Sequence, residues 1–138
     1  MSTPATTRTD RTDRHLGLGW ALLLDLVVIL VFAAVGRRSH DEGDALTGVL
    51  RTAWPFLAGG ALGYLVNLAA LRRAMASVSA GVVVWVCTVT GGMVLRHLTD
   101  KGTAFSFIVV ATIFTGVFLL GWRALAGWLI GRRTASRA

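Results

Sequence analysis

A chain of 138 residues suits one domain, and at 54% hydrophobic and 15% charged it departs from soluble proteins, which average roughly 45–50% and 25%, in the direction of lipid. The net charge of +7 would suit a phosphate-binding surface, but all 14 Lys and Arg residues except Arg123 fall in the termini, in loops or at the ends of apolar runs. That leaves no compact basic domain for a nucleic acid.

Residues 1–15 are almost all Ser, Thr, Arg, Asp and Ala and are read as a disordered tail, because they have too little apolar surface to bury. The first predicted span covers 16–35, apolar except for Asp25, and at 1.5 Å per residue it reaches about 30 Å, the hydrocarbon thickness. A signal peptide is the competing reading of this run. Signal cores are about 7–15 residues, so the length and the embedded acid favour a retained span. A polar stretch, 36–51, follows as a loop and contains Arg37, Arg38, Ser39, His40, Asp41, Glu42 and Asp44.

The second predicted span covers 53–71, with Pro55 placed in its first turn, where a missing N–H is harmless, and Arg72 and Arg73 closing it. The third covers 77–95, followed by a short loop with Arg96, His97, Asp100 and Lys101. The fourth starts at 103 and ends at 123 or runs on to 130, which leaves two options. Either the helix tilts strongly, or its last turns lie in the interface with Trp122 and Trp128 as anchors. Residues 132–138 form a basic tail.

The fold class expected is therefore all-α, a polytopic membrane protein with four transmembrane helices in a compact bundle over 16–131. One side of the membrane would carry Arg8, Arg11, Arg14, Arg72, Arg73, Arg123, Arg132, Arg133 and Arg137, and the other Arg37, Arg38, Arg51, Arg96 and Lys101. This excess places both termini in the cytoplasm of a plasma-membrane protein, and dual topology stays open.

Backbone groups in lipid must be satisfied within the chain, so the spans are helices and their phase can be read. Gly81, Trp85, Thr88, Gly92 and Arg96 share a stripe on the third span; Gly59, Gly60, Gly63 and Asn67 cluster on the second, and Thr112, Thr115, Gly116 and Arg123 on the fourth. Small and weakly polar residues at these spacings permit close helix approach, so the stripes should face the bundle centre. Gly59 with Gly63 and Gly127 with Gly131 also form GxxxG patterns. With 16 glycines present, internal packing explains them better than a dedicated dimer face.

Asp25 is the only acid within a span, where an uncompensated charge costs about 2.5–3.5 kcal/mol. Counted from the cytoplasmic helix ends, Asp25 and Arg123 lie at depths of about 13 and 10 Å, which suits an ion pair between neighbouring first and fourth helices. Two roles are open: a clamp fixing helix register, or an exchangeable proton or cation site. If the fourth span ends near Trp122, Arg123 snorkels to headgroups instead. Trp85, Thr88 and Asn67 complete the expected intramembrane polar site.

Arg37, Arg38, His40 and Arg96 form an outer-face motif, and Arg37, Arg38, Arg96 and Lys101 could contact a lipid phosphate, against the simpler reading of helix-end residues reaching for water. His15, His40 and His97 match no metal-ligand spacing. Ser39 beside His40 has no assigned orienting acid, so no enzymatic activity, metal or cofactor is expected. Cys87, alone in an apolar run, reads as a small buried hydrophobe.

Four strings also stand in order: Gly36-Arg37-Arg38-Ser39-His40, Thr52-Ala53-Trp54-Pro55-Phe56, Gly102-Thr103-Ala104-Phe105-Ser106-Phe107 and Gly121-Trp122-Arg123. With Asp25 and Trp85 they resemble domain-of-unknown-function family 3054 of small prokaryotic membrane proteins, over about residues 20–125. The resemblance implies the four-helix membrane architecture and carries no activity and no functional residues. Two functional classes follow. One is a non-catalytic accessory or structural membrane protein acting through a homodimer or another membrane partner. The alternative is a small proton- or cation-coupled transporter using Asp25, by architectural analogy with small transporters that pair four-helix chains around a membrane-embedded acid.

Overall fold

The computed structural model describes residues 9–37, 45–71 and 74–135, with side chains over 17–36, 45–71 and 74–133. Four helices fill them: α1 (Thr9–Arg37), α2 (Ala45–Val66, closed by a π-helical turn, Asn67–Leu71), α3 (Val78–Leu98) and α4 (Phe105–Ala135). Each is long and apolar enough to cross a membrane, over Gly17–Gly36, Ala45–Leu71, Val78–Leu98 and Phe105–Arg133. The protein is a multi-pass membrane protein built as an all-α bundle.

Residue pairing fixes the order of the helices. Asp25 meets Tyr64, Ile29 approaches Gly60 and Phe32 meets Phe56, so α1 and α2 run antiparallel. Gly63 lies against Val84, Gly59 against Thr88 and Gly92 against Phe56, which makes α2 and α3 antiparallel. Gly81 touches Arg123 and Trp85 touches Gly116, joining α3 to α4; Asp25 with Arg123 and Phe32 with Phe107 close the ring between α4 and α1. Both outer helix ends, the start of α1 and the finish of α4, therefore lie at one end of the bundle.

The tightest seam is that of α2 and α3. A Cβ on Gly59 would stand 2.5 Å from the Cys87 carbonyl oxygen, and one on Gly63 2.7 Å from Val84 Cα. Only hydrogen fits there, so the two backbones approach as membrane helices do when dispersion and weak polar contacts replace the hydrophobic drive. The Gly59–Gly63 motif is used inside the bundle. Gly127 and Gly131 have nothing within 4 Å of an added Cβ and face outward.

The two halves of the bundle are filled differently. Toward the end opposite the termini lies an aromatic cluster, with Phe32 edge-on to Phe56 at 5.1 Å and Phe107 and Phe114 within 6 Å of Phe32. The other half holds the buried Asp25 and Arg123 beside a smaller cluster of Ala21, Tyr64, Met75 and Val84.

Several boundaries differ from the sequence reading. Helix α1 begins at Thr9, inside the stretch read as a disordered tail, and α2 begins at Ala45, inside the stretch read as a loop. Once an apolar span has nucleated a helix, each further residue adds a hydrogen bond without a second nucleation cost. Pro55 consequently sits well inside α2 and is buried. Its missing N–H leaves the carbonyl of Arg51, four residues earlier, without a helical partner. Lys101 Nζ fills that position at 2.7 Å.

The fourth helix runs unbroken to Ala135, so Arg123 lies in mid-helix and is fully buried, not snorkelling. Trp122 is half-buried and turned inward, which corrects its reading as an interfacial anchor; Trp128 is exposed and stacks with Arg132. Ser77 caps α3, its Oγ accepting the Ala80 amide at 3.2 Å. The turn from α3 to α4 bends through Asp100 (φ 53°) and Gly102 (φ 60°).

Candidate functional site

The polar half of the bundle is organised around Asp25, only 2% exposed, on the inward face of α1. Arg123 of α4 reaches it with both terminal nitrogens, Nη1 to Oδ1 at 2.8 Å and Nη2 to Oδ2 at 2.7 Å. This is the bidentate fork that guanidinium and carboxylate geometry favours. Two further donors complete the carboxylate: Tyr64 Oη of α2 donates to Oδ2 at 2.6 Å, and Trp122 Nε1 donates to Oδ1 at 2.9 Å. Each carboxylate oxygen thus accepts two hydrogen bonds, and about four such sites is what a carboxylate offers.

Arg123 is equally complete. Its Nε donates to the Met75 carbonyl at 3.1 Å, its second Nη1 proton goes to the Leu119 carbonyl at 2.8 Å, and Nη2 also approaches Tyr64 Oη at 3.4 Å. All five guanidinium donors meet an oxygen. The guanidinium carbon lies 4.4 Å from the centre of the Trp122 ring, which adds a cation–π contact. Space for this long side chain comes from Gly81, where a Cβ would stand 2.5 Å from Arg123 Cδ. Three helices supply the side chains, α3 supplies the gap, and the connection after α2 supplies a carbonyl.

The other expected members of the site lie apart from this network. Asn67 Nδ2 donates to the carbonyls of Gly63 and Ala80, both at 3.1 Å, and so ties the π-helical turn to the start of α3. Trp85 Nε1 donates to the Thr112 carbonyl at 3.1 Å across the α3–α4 seam. Thr88 is buried with its hydroxyl against Gly60, and neither Thr88 Oγ1 nor Asn67 Oδ1 has a protein partner among the described residues. Within the outer-face motif Arg96 lies over the Phe107 ring at 4.2 Å; Arg38, His40 and the side chain of Arg37 fall outside the described residues.

Tyr64 and Trp122 are the partners that the sequence reading did not assign to Asp25. Tyr64 is the only tyrosine in the chain and lies seven residues inside Leu71, a depth of about 10 Å that matches Asp25 and Arg123. That coincidence of depth was the available signal. Trp122 had none, since a tryptophan beside an arginine reads equally well as an interfacial anchor.

A lateral groove of about 400 Å³ opens between α1 and α2, walled by Leu22, Leu26, Ile29, Leu57 and Ala61, with Asp25 and Tyr64 at its base. Among the described residues no three His, Cys, Asp or Glu side chains converge. The chemistry available is that of a neutralised, hydrogen-bond-saturated ion pair beside an apolar groove. No curated protein and no solved structure matches the chain. The family model described as a protein of unknown function (DUF3054) matches residues 22–126, so the chain belongs to that family.

Proposed function

We propose that this is a non-catalytic accessory or structural protein of the plasma membrane, with both termini in the cytoplasm, in which the Asp25–Arg123 pair locks α1 to α4. What carries this reading is saturation: every acceptor position of Asp25 and every donor of Arg123 is filled by another group of the same chain. A site that picks up and releases a proton or cation needs a position that the protein leaves vacant. The excess of basic residues on the side of the termini supports the orientation. Its partners are the bilayer and either a second copy or another membrane protein.

The second reading, a small coupled transporter, draws on the groove that reaches Asp25 from the lipid side. Reconstitution separates the two. In liposomes loaded with a pH-sensitive dye, the accessory role predicts that an imposed proton gradient decays no faster with the wild type or Asp25→Asn than in empty liposomes. Faster decay with the wild type, abolished in an Asp25→Asn protein of unchanged helical content, replaces the accessory role with transport.

A further inference from the structure

At the end of the bundle opposite the termini, three cations crowd into one corner. Lys101 Nζ is held by the Arg51 carbonyl at 2.7 Å and lies 5.3 Å from the centre of the Trp54 ring. Arg96 Nη2 donates to the carbonyls of Lys101 at 2.8 Å and Gly102 at 3.2 Å, while its guanidinium rests on Phe107. Arg51 projects beside them, exposed. Partial burial, then the fields of Arg96 and Arg51, hold the Lys101 ammonium below its usual pKa. No carboxylate among the described residues lies within ion-pair distance of the three; Asp100, in the same turn, is exposed and pairs with none of them. Arg96 Nε, although buried, has no acceptor among the described residues.

The same corner holds the start of α4. The first amide of this helix to find a carbonyl is that of Ile108, bonded to Ala104 at 3.1 Å. Ala104 stands just before the helix and has no side-chain oxygen, and the amides of Phe105, Ser106 and Phe107 meet no acceptor among the described residues. A 31-residue helix adds partial positive charge at that point.

We propose that this corner, made by Arg51, Arg96, Lys101 and the uncapped start of α4, binds a phosphate anion, namely the headgroup phosphate of an anionic phospholipid. The placement argues for lipid as the source. The corner lies where α3 ends and α4 begins, beside the second turn of α2, with Trp54 exposed next to it and Phe105 81% exposed, a place at the end of two spans where cations and aromatic rings meet headgroups. What distinguishes the corner from scattered helix-end residues is that backbone carbonyls and ring faces hold two of the cations in place, that the charges of Arg96 and Arg51 are both felt at Lys101, and that none of the three has a counterion among the described residues.

The test uses the full chain purified in detergent, with retained lipid counted by native mass spectrometry for phosphatidylglycerol against phosphatidylcholine. The wild type retains phosphatidylglycerol preferentially. The Arg51→Gln, Lys101→Gln double variant, in which the new side-chain amide can still donate to the carbonyl of position 51, loses at least tenfold in that preference, whereas Arg132→Gln, Arg133→Gln at the other end keeps it. Ala104→Asp supplies a second arm that does not depend on a weakened fold: a carboxylate at the N-cap occupies the amides and the cations together, so thermal stability rises while lipid preference falls. Inorganic phosphate that binds the wild type and displaces phosphatidylglycerol keeps the anion site but makes free phosphate its ligand. Equal retention of the two lipids, or a preference unchanged in both the double variant and Ala104→Asp, overturns the proposal.

Discussion

Asp25 and Arg123 were legible as a pair because each is an ionisable residue with no reason to be in oil and because their depths agree. What could not be read was the completeness of their surroundings, since hydrogen bonds from Tyr64 and Trp122 depend on rotamers and helix rotation that no spacing encodes. Breaking one partner of a buried pair leaves an uncompensated charge, so Asp25→Asn and Arg123→Gln should each lose about 3–5 kcal/mol in detergent unfolding titrations. The double variant should lose clearly less than the two single losses together; strictly additive losses would remove the case for a lock. Tyr64→Phe deletes one hydrogen bond to a charged group and should lower stability by about 1.5–3 kcal/mol without changing the orientation of the spans. An unchanged unfolding midpoint would show that Tyr64 adds nothing to the lock.

Among the helices, the glycine faces of α2 and α3 were legible as bundle-facing, because small residues at spacings of three and four permit close approach, but which helix each would meet was not. The identical GxxxG of Gly127 and Gly131 faces open space, so the motif identifies a capacity for contact and the neighbouring helix decides whether it is used. Gly63→Leu forces a side chain into the Val84 backbone and should cost about 1–3 kcal/mol or more, read as a lower thermal midpoint, whereas Gly127→Leu should be neutral in the isolated chain. Ser77→Ala removes the cap of α3 and should cost about 1 kcal/mol on the same measurement. The start of α2 was misjudged for a physical reason: Pro55 reads as an entry residue, and nothing in the sequence announces that the carbonyl it frees is taken by a lysine 50 residues further on.

For the whole molecule, the ring of antiparallel neighbours places the start of α1 and the finish of α4 at one end. Single cysteines introduced at Ser2 and Ser136 in a Cys87→Ser background should therefore be modified together by an impermeant thiol reagent from one face of sealed vesicles, and spared together from the other. Modification of one alone would contradict the even number of crossings. The fold class followed from composition and run length, because lipid leaves few architectures open. The uneven filling of the bundle, a phenylalanine cluster toward one end and the buried ion pair toward the other, did not, because it depends on which helix lies beside which.

That the lock joins the first helix to the last has a consequence for how the protein is made. A chain emerges from the ribosome amino end first, and Arg123 arrives 98 residues after Asp25. Until then three helices surround a carboxylate whose cation has not been synthesised. A nascent product that stops before Arg123 thus leaves Asp25 in the bilayer without its cation as well as without the packing of the last helix, and both are made good when α4 is complete.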